Sequence, residues 1–115
     1  MAATDQLSRV FSALADPTRR DMVARLTLTD ATVNELAAPY QVSVQAVSKQ
    51  LRVLEDAGLV TRRREAQRRP VHLEAEVFDL MTTWIERYRR QAEKRYQRLD
   101  ALLAVLPDEA EGDTK

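Results

Sequence analysis

Between Ser43 and Gly58 the chain carries both a start and a stop signal for one helix, and this bounded segment constrains everything around it. Serine is a favoured N-cap, because its hydroxyl can accept from a first-turn amide that has no helical partner. Val42 and Val47 stand where a hydrophobic staple would close. Val47, Leu51 and Leu54 recur at i, i+4 and i+7 and predict a core stripe. Gly58 suits the left-handed C′ position, from which Leu59 can fold back onto Leu54.

Elsewhere only two glycines and four prolines punctuate the 115 residues, so the chain reads as mostly helical. Leu7, Val10, Phe11 and Leu14 predict a short amphipathic first helix. Asp16-Pro17 ends it and opens the next, with Asp16 as N-cap and proline at the first helical position. Met22, Val23 and Leu26 supply the buried face of that second helix. Thr32 to Glu35 is a capping box that opens a third helix, with Val33, Leu36 and Ala37 inward and Pro39 closing it. After Gly58, Val60–Arg64 and Val71–Leu73 read as a β-hairpin with its turn near Glu65-Ala66-Gln67, although the Asn-Gly signal of tight hairpins is missing. From about Val77 to Leu106 an apolar stripe returns through Val77, Met81, Trp84, Tyr88, Ala92, Tyr96, Leu99, Leu103 and Leu106. Such a helix is ~45 Å long, more than a domain of this size can cover alone. The expected fold is therefore mainly α, five helices plus a two-stranded hairpin. It forms one domain over residues 1–106, with an acidic tail over 107–115 expected to be disordered.

Composition removes most chemistries. No apolar run approaches a membrane-spanning length, and the N-terminus lacks the basic and apolar regions of a secretion signal, which sets the cytoplasm as the expected compartment. There is no cysteine, hence no disulfide, thiolate nucleophile or cysteine metal site, and one histidine offers little more. No phosphate-cradling glycine loop or second histidine supports acid–base catalysis, so no enzyme and no cofactor are expected. Net charge is zero, yet its distribution is polarised. From Ser43 to Leu73, seven cations (Lys49, Arg52, Arg62, Arg63, Arg64, Arg68, Arg69) face three anions, whereas residues 107–115 hold Asp108, Glu109, Glu111 and Asp113 against Lys115.

Two short helices joined by a four-residue turn, the second capped at both ends and followed by a basic hairpin, form the pattern of a helix-turn-helix with a wing. With Val47, Leu51 and Leu54 turned to the core, Ser43, Val44, Gln45, Ser48, Lys49 and Arg52 face outward. Gln45 can pair with adenine, Lys49 with guanine acceptors, Ser48 with a base or phosphate, and Val44 can meet a thymine methyl. Arg62, Arg64, Arg68 and Arg69 of the hairpin suit phosphates or a narrow minor groove. The rival readings are an ordinary solvated helix, a winged-helix protein-interaction module, and a non-specific architectural DNA binder. Arg19 and Arg20 sit in a first turn, where the helix dipole disfavours cations, so a compensating partner is expected: a phosphate, or, by preference for at least one of them, a structural ion pair with a carboxylate such as Asp16 or Asp21. His72 is isolated and reads as structural or solvated.

The segments Leu14-Ala15-Asp16-Pro17-Thr18-Arg19-Arg20, Val33-Asn34-Glu35-Leu36-Ala37, Ala46-Val47-Ser48-Lys49-Gln50-Leu51-Arg52-Val53-Leu54 and Ala57-Gly58-Leu59-Val60 together resemble the ArsR/SmtB transcriptional repressors. The resemblance runs from about Leu7 to Leu106. It implies a winged helix-turn-helix that represses from a palindromic operator in double-stranded DNA until an effector, here unknown, relieves it. It puts Val44, Gln45, Ser48 and Lys49 in the groove, with lysine at 49 where many members have histidine. It also implies a homodimer built by the first and last helices. That places Leu7, Val10, Phe11 and Leu14 at the interface with Val77, Met81, Trp84, Tyr88, Leu99 and Leu103. Metal-sensing members carry cysteines after the Glu-Leu pair, or histidine and carboxylate clusters on the last helix. Here Glu35-Leu36 is followed by Ala37-Ala38-Pro39 and the last helix has no histidine, so the chain resembles the metal-independent members.

Overall fold

The computed structural model describes residues 5–106, which divide into one unit ending at Met81 and another beginning at Thr82. The acidic tail expected at 107–115 lies outside the described residues. In chain order the elements are α1 (Gln6–Ala13), α2 (Pro17–Leu26), α3 (Val33–Ala37), α4 (Val44–Asp56), β1 (Val60–Arg62), β2 (Val71–Leu73), a 3₁₀ turn (Ala75–Val77) and α5 (Phe78–Ala104). Five α-helices and a two-stranded hairpin are thus present among the described residues, as the sequence pattern predicts.

In the first unit the helices are too short to persist alone, and each begins on a side-chain cap. The Ser8 amide donates to Asp5 (2.7 Å), Arg19 to Asp16 (3.1 Å) and Ala46 to Ser43 (3.1 Å). Thr32 and Glu35 cap each other reciprocally, through Glu35 N to Thr32 Oγ1 at 3.2 Å and Thr32 N to Glu35 Oε1 at 2.8 Å. The far end of α4 closes as a Schellman motif: Gly58 takes φ +83°, its amide donates to the Glu55 carbonyl (2.9 Å), and Leu59 donates to Leu54 (3.0 Å). Val47, Leu51 and Leu54 are buried with Met22, Leu36, Leu59 and Val71. Val42 stays 56% exposed, so the staple expected at the start of α4 covers little.

Val10 does not belong to the dimer interface expected of it. Val10 is 0% exposed within its own subunit's core, and a side chain with no free surface has none to offer a partner. Leu14, Val77 and Met81 also pack against this core and are half-buried, which reduces what they could add to a dimer.

The hairpin pairs Val60 with Leu73, Thr61 with His72 and Arg62 with Val71, antiparallel. Beyond the strands Glu65 and Arg68 exchange both backbone hydrogen bonds, at 3.1 and 2.8 Å, across Ala66 and Gln67. Ala66 takes φ +54°, the conformation glycine normally supplies, which explains the missing turn signal. A further pairing was not anticipated: Ala31 bridges Val71, donating to its carbonyl at 3.2 Å and accepting from its amide at 2.7 Å, which ties the approach to α3 onto β2.

In the second unit no residue from Thr82 to Leu106 is buried. Trp84 and Tyr88 pack ring on ring with centroids 4.8 Å apart. Arg89 pairs with Glu86 at 2.9 Å and with Glu93, one turn to either side. No helix among the described residues is long and apolar enough to cross a membrane.

The positive φ of Gly58 yields a stability prediction. A Cβ there would meet the Gln6 side-chain amide at 2.7 Å and would also sit in the left-handed region. Gly58→Ala should cost about 1–2 kcal/mol, mostly from backbone strain. Urea midpoints should show nearly the same loss in a Gln6→Ala background, because removing the flexible amide relieves only the clash; full recovery there would refute the backbone account.

Candidate nucleic-acid interface

The outward face of α4 is set by its inward one. Once Val47, Leu51 and Leu54 are buried, the pitch of the helix turns Gln45, Lys49 and Arg52 to solvent, with Ser48 half-buried between them. These four side chains line one open depression. Val44 is 43% exposed on the first turn. The Ser43 hydroxyl oxygen accepts from the Ala46 amide and keeps its own proton free to donate.

The hairpin arginines divide into two sets. Arg62 leans back to α4, its Nε 3.8 Å from Glu55, with a quarter of its side chain exposed. Arg68 reaches α3, donating to Glu35 Oε1 at 2.8 Å. Arg64 and Arg69 are exposed and form no ion pair among the described residues. Glu35 therefore has two tasks on one oxygen, capping α3 and holding Arg68. The Thr32 amide, and after it Arg68, holds its carboxyl below the ordinary value of 4.5.

Arg19 and Arg20 find partners other than the expected carboxylates. Arg19 donates from Nε to the Ala13 carbonyl (2.6 Å), from one terminal nitrogen to Gln50 Oε1 (2.7 Å) and from the other to Ser12 (3.3 Å). Arg20 donates to the Leu14 carbonyl at 2.8 Å. Both cations thus serve the C-terminal end of α1, where unpaired carbonyls carry partial negative charge. The bond to Gln50 also moors α4 to the α1–α2 junction. Arg25 repeats the device on α3, donating to Leu36 (2.7 Å) and Glu35 (3.0 Å) while lying 5.4 Å over the Tyr40 ring. Tyr40 in turn donates to the Asp21 carboxylate; burial, and then this bond, pushes its phenol up from 10.0. Gln50, Arg25 and Tyr40 were missed from sequence. A signal existed: α1 and α3 both end without a C′ glycine, so their last carbonyls need donors from elsewhere. His72 Nδ1 lies 2.9 Å from Asp30 Oδ1, a pair that joins β2 to the α2–α3 connection.

A short helix, a turn, and a second helix with a polar and cationic outer face, followed at once by an arginine-bearing hairpin, define a winged helix-turn-helix DNA-binding domain. A helix-turn-helix domain family matches residues 14–63. The HTH-type transcriptional regulator Rv2034 of Mycobacterium tuberculosis is 38% identical over 91 residues, covering 79% of this chain and 85% of that protein. A crystal structure of an ArsR family transcriptional regulator is 35% identical with TM-score 0.72, covering 77% of this chain and 98% of its own. The solution structure of the homodimeric winged helix-turn-helix DNA-binding domain of Mycobacterium bovis Mb0332 is 26% identical with TM-score 0.58, covering 75% and 91%. The chain belongs to the ArsR/SmtB family of winged helix-turn-helix transcriptional regulators, which are not enzymes.

The two tasks of Glu35 predict a pH dependence. A carboxyl whose folded value lies below its unfolded one contributes stability that is complete above about 4.5 and is lost as pH falls through the folded value. Glu35→Gln keeps a capping side chain but has no charge to lose. The stability gap between wild type and Glu35→Gln should therefore be widest near neutral pH and close below the ordinary carboxylate range. Chemical denaturation at stepped pH checks this, and a gap constant from pH 7 to 3 would contradict it.

Proposed function

We propose that this regulator is a homodimeric repressor, acting in the cytoplasm, that covers an inverted repeat with α4 of each subunit in a major groove and the hairpin on flanking phosphates. The observation that carries this reading is the exposed row of Val44, Gln45, Lys49 and Arg52, with half-buried Ser48 among them, on a helix held at both ends. Gln45 and Lys49 are the base readers, with Ser48 and Val44 beside them; Ser43 and Arg52 flank the groove. Arg64 and Arg69 hold phosphates, with Arg62 and Arg68 joining them when they leave their carboxylates.

Support for the dimer comes from α5, where Trp84, Tyr88 and Leu99 are each 43–46% exposed and Leu103 is 64% exposed on one side of the helix. Half-exposed Leu7 and Phe11 of α1 join them in the proposed interface. The homodimeric Mycobacterium bovis domain favours the same assembly. Trp84→Ala with Leu99→Ala should raise the dimer dissociation constant at least tenfold in sedimentation; a wild-type chain monomeric at micromolar concentration would sink the assignment.

Metal is not proposed as the effector: the chain has no cysteine, and its one histidine is paired with Asp30. Zinc should change operator affinity less than twofold, and a larger change reversed by a chelator would overturn this.

Reader and clamp should fail differently. Half-site centres about 10 bp apart are expected for two related helices on one face of the duplex. With ~4 phosphates neutralised per subunit, the log–log salt slope should lie near −7. Lys49→Ala should cost ~1–3 kcal/mol and blur preference at particular bases, whereas Arg64→Ala or Arg69→Ala should weaken all sequences alike and flatten the slope by ~1 per subunit. The measurement is operator and scrambled-duplex affinity over a salt series, with the operator first located by footprinting the upstream region of the gene. A specificity ratio untouched by Lys49→Ala but destroyed by Arg64→Ala would reverse the two roles.

A further inference from the structure

α5 is not two-faced but three-faced. At 3.6 residues per turn, Trp84, Tyr88, Leu99 and Leu103 occupy one arc about 100° wide, and Glu86, Glu93 and Asp100 fall within about 40° of one another on a second. Arg87, Arg90, Lys94 and Arg98 form a third arc about 80° wide that contains no carboxylate. All four are exposed. Arg87, Arg90 and Lys94 line one open depression on the helix, together with Glu86 of the acidic arc, and Lys94 and Arg98 line the next, which holds no carboxylate.

Two of the three carboxylates on the acidic arc are engaged mainly by another cation. Arg89, on the acidic side, takes both Glu86 and Glu93. Arg90 lies near enough to Glu86 to help hold its carboxyl down, behind Arg89. Arg87, Lys94 and Arg98 form no ion pair among the described residues. Four like charges on one face, each a single turn from the next, repel one another, so a polyanion is the partner such a face fits.

The sequence supplies a polyanion next to it. Asp108, Glu109, Glu111 and Asp113 follow α5 within nine residues of its last residue, Ala104. Measured back from Ala104, Arg98 lies ~9 Å and Lys94 ~15 Å along the helix axis. Val105 and Leu106 hydrogen-bond back to Leu102 and Leu103, so the chain can run back only from Leu106; the seven residues to Asp113 span ~23 Å at full extension, enough to bring Asp113 level with Lys94, ~18 Å back from Leu106. Tethering supplies an effective concentration of millimolar order, enough to populate contacts that are individually weak.

We infer that the acidic segment Asp108–Asp113 docks, in the same chain, along the Lys94–Arg98 end of this cationic stripe of α5 and screens that end from other polyanions. The docking is independent of whether α4 reads an operator, and it is tested first without DNA. Because the chain has no cysteine, Ala110→Cys gives a single site for a nitroxide in the full-length protein. The nitroxide should broaden the amide signals of Lys94 and Arg98 at low salt. The broadening at Lys94 should fall severalfold near 1 M salt, where the Debye length is about 3 Å. It should fall equally when Asp108→Asn, Glu109→Gln, Glu111→Gln and Asp113→Asn are combined, and again in Lys94→Gln with Arg98→Gln. Broadening confined to residues 102–106, or unchanged by salt and by tail neutralisation, would overturn docking, since a passive tether produces that pattern. Broadening of an isotope-labelled chain only by a nitroxide on an unlabelled copy would overturn the same-chain assignment. For screening, the tail-neutralised protein should bind a scrambled duplex with a salt slope steeper by ~0.9 for each cation uncovered, and an identical slope would overturn that part.

Discussion

A helix can present a defined outer face only if its inner face is held, and in this protein that duty falls on the seam of Val47, Leu51 and Leu54. All three are 0–1% exposed. They meet side chains from the other elements of the same unit, so the register of α4 is tied to the whole core. Leu→Ala changes in cores of this kind cost about 2–5 kcal/mol, a large share of the marginal stability of a small domain. The polar bond from Arg19 to Gln50 adds direction to that apolar grip, since it fixes one turn of α4 against the junction of α1 and α2. A rotation of α4 by one residue would break the seam and the bond together, and would carry Gln45 and Lys49 out of the exposed row.

The rest of the unit solves a problem of short helices. α1, α2 and α3 have eight, ten and five residues, and on their own such lengths are marginal in water. Their N-terminal amides are served locally by Asp5, Asp16 and Thr32. The C-terminal carbonyls of α1 and α3 are not, and α2 serves them from a distance: Arg19 and Arg20 cover α1, and Arg25 covers α3. The first-turn arginines that look misplaced against their own dipole are well placed against that of the preceding helix. The second helix is therefore less a reading element than a clip between its neighbours.

This division explains what could be read from the sequence. Caps and stripes are local, written within four residues, so Asp16-Pro17, the Thr32–Glu35 box, Ser43 and Gly58 all located their helix ends, and the exposed face of α4 followed from its buried one. Relations across the chain have no such signature. The bridge from Ala31 to Val71 spans forty residues and uses backbone atoms that any residue carries. Ala66 adopts a positive φ that its side chain does not advertise. Val10 could be read as apolar, but whether an apolar residue faces its own core or a partner's depends on how α1 docks, and it is its own core that buries it. For the arginines, residue type indicated a cation and nothing more; the local sequence did not reveal the carbonyls around Arg19 or the carboxylate beside Arg68.

The pairings of Arg62 with Glu55 and of Arg68 with Glu35 bear on how the hairpin meets a duplex in the proposed complex. Exposed ion pairs of this kind contribute about 0–1 kcal/mol each, so exchanging a carboxylate for a phosphate costs little. What the carboxylates do supply is position: Glu55 anchors the base of the hairpin to α4, and Glu35 anchors its far end to α3. A hairpin of three-residue strands, with a strained Ala66 at its turn, has little stiffness of its own. Held at two points, the hairpin backbone that carries the exposed Arg64 and Arg69 is fixed before any nucleic acid arrives, which lowers the ordering cost of binding. The anionic side chains on this otherwise cationic surface thus favour the bound geometry, although they oppose the charge that the duplex brings.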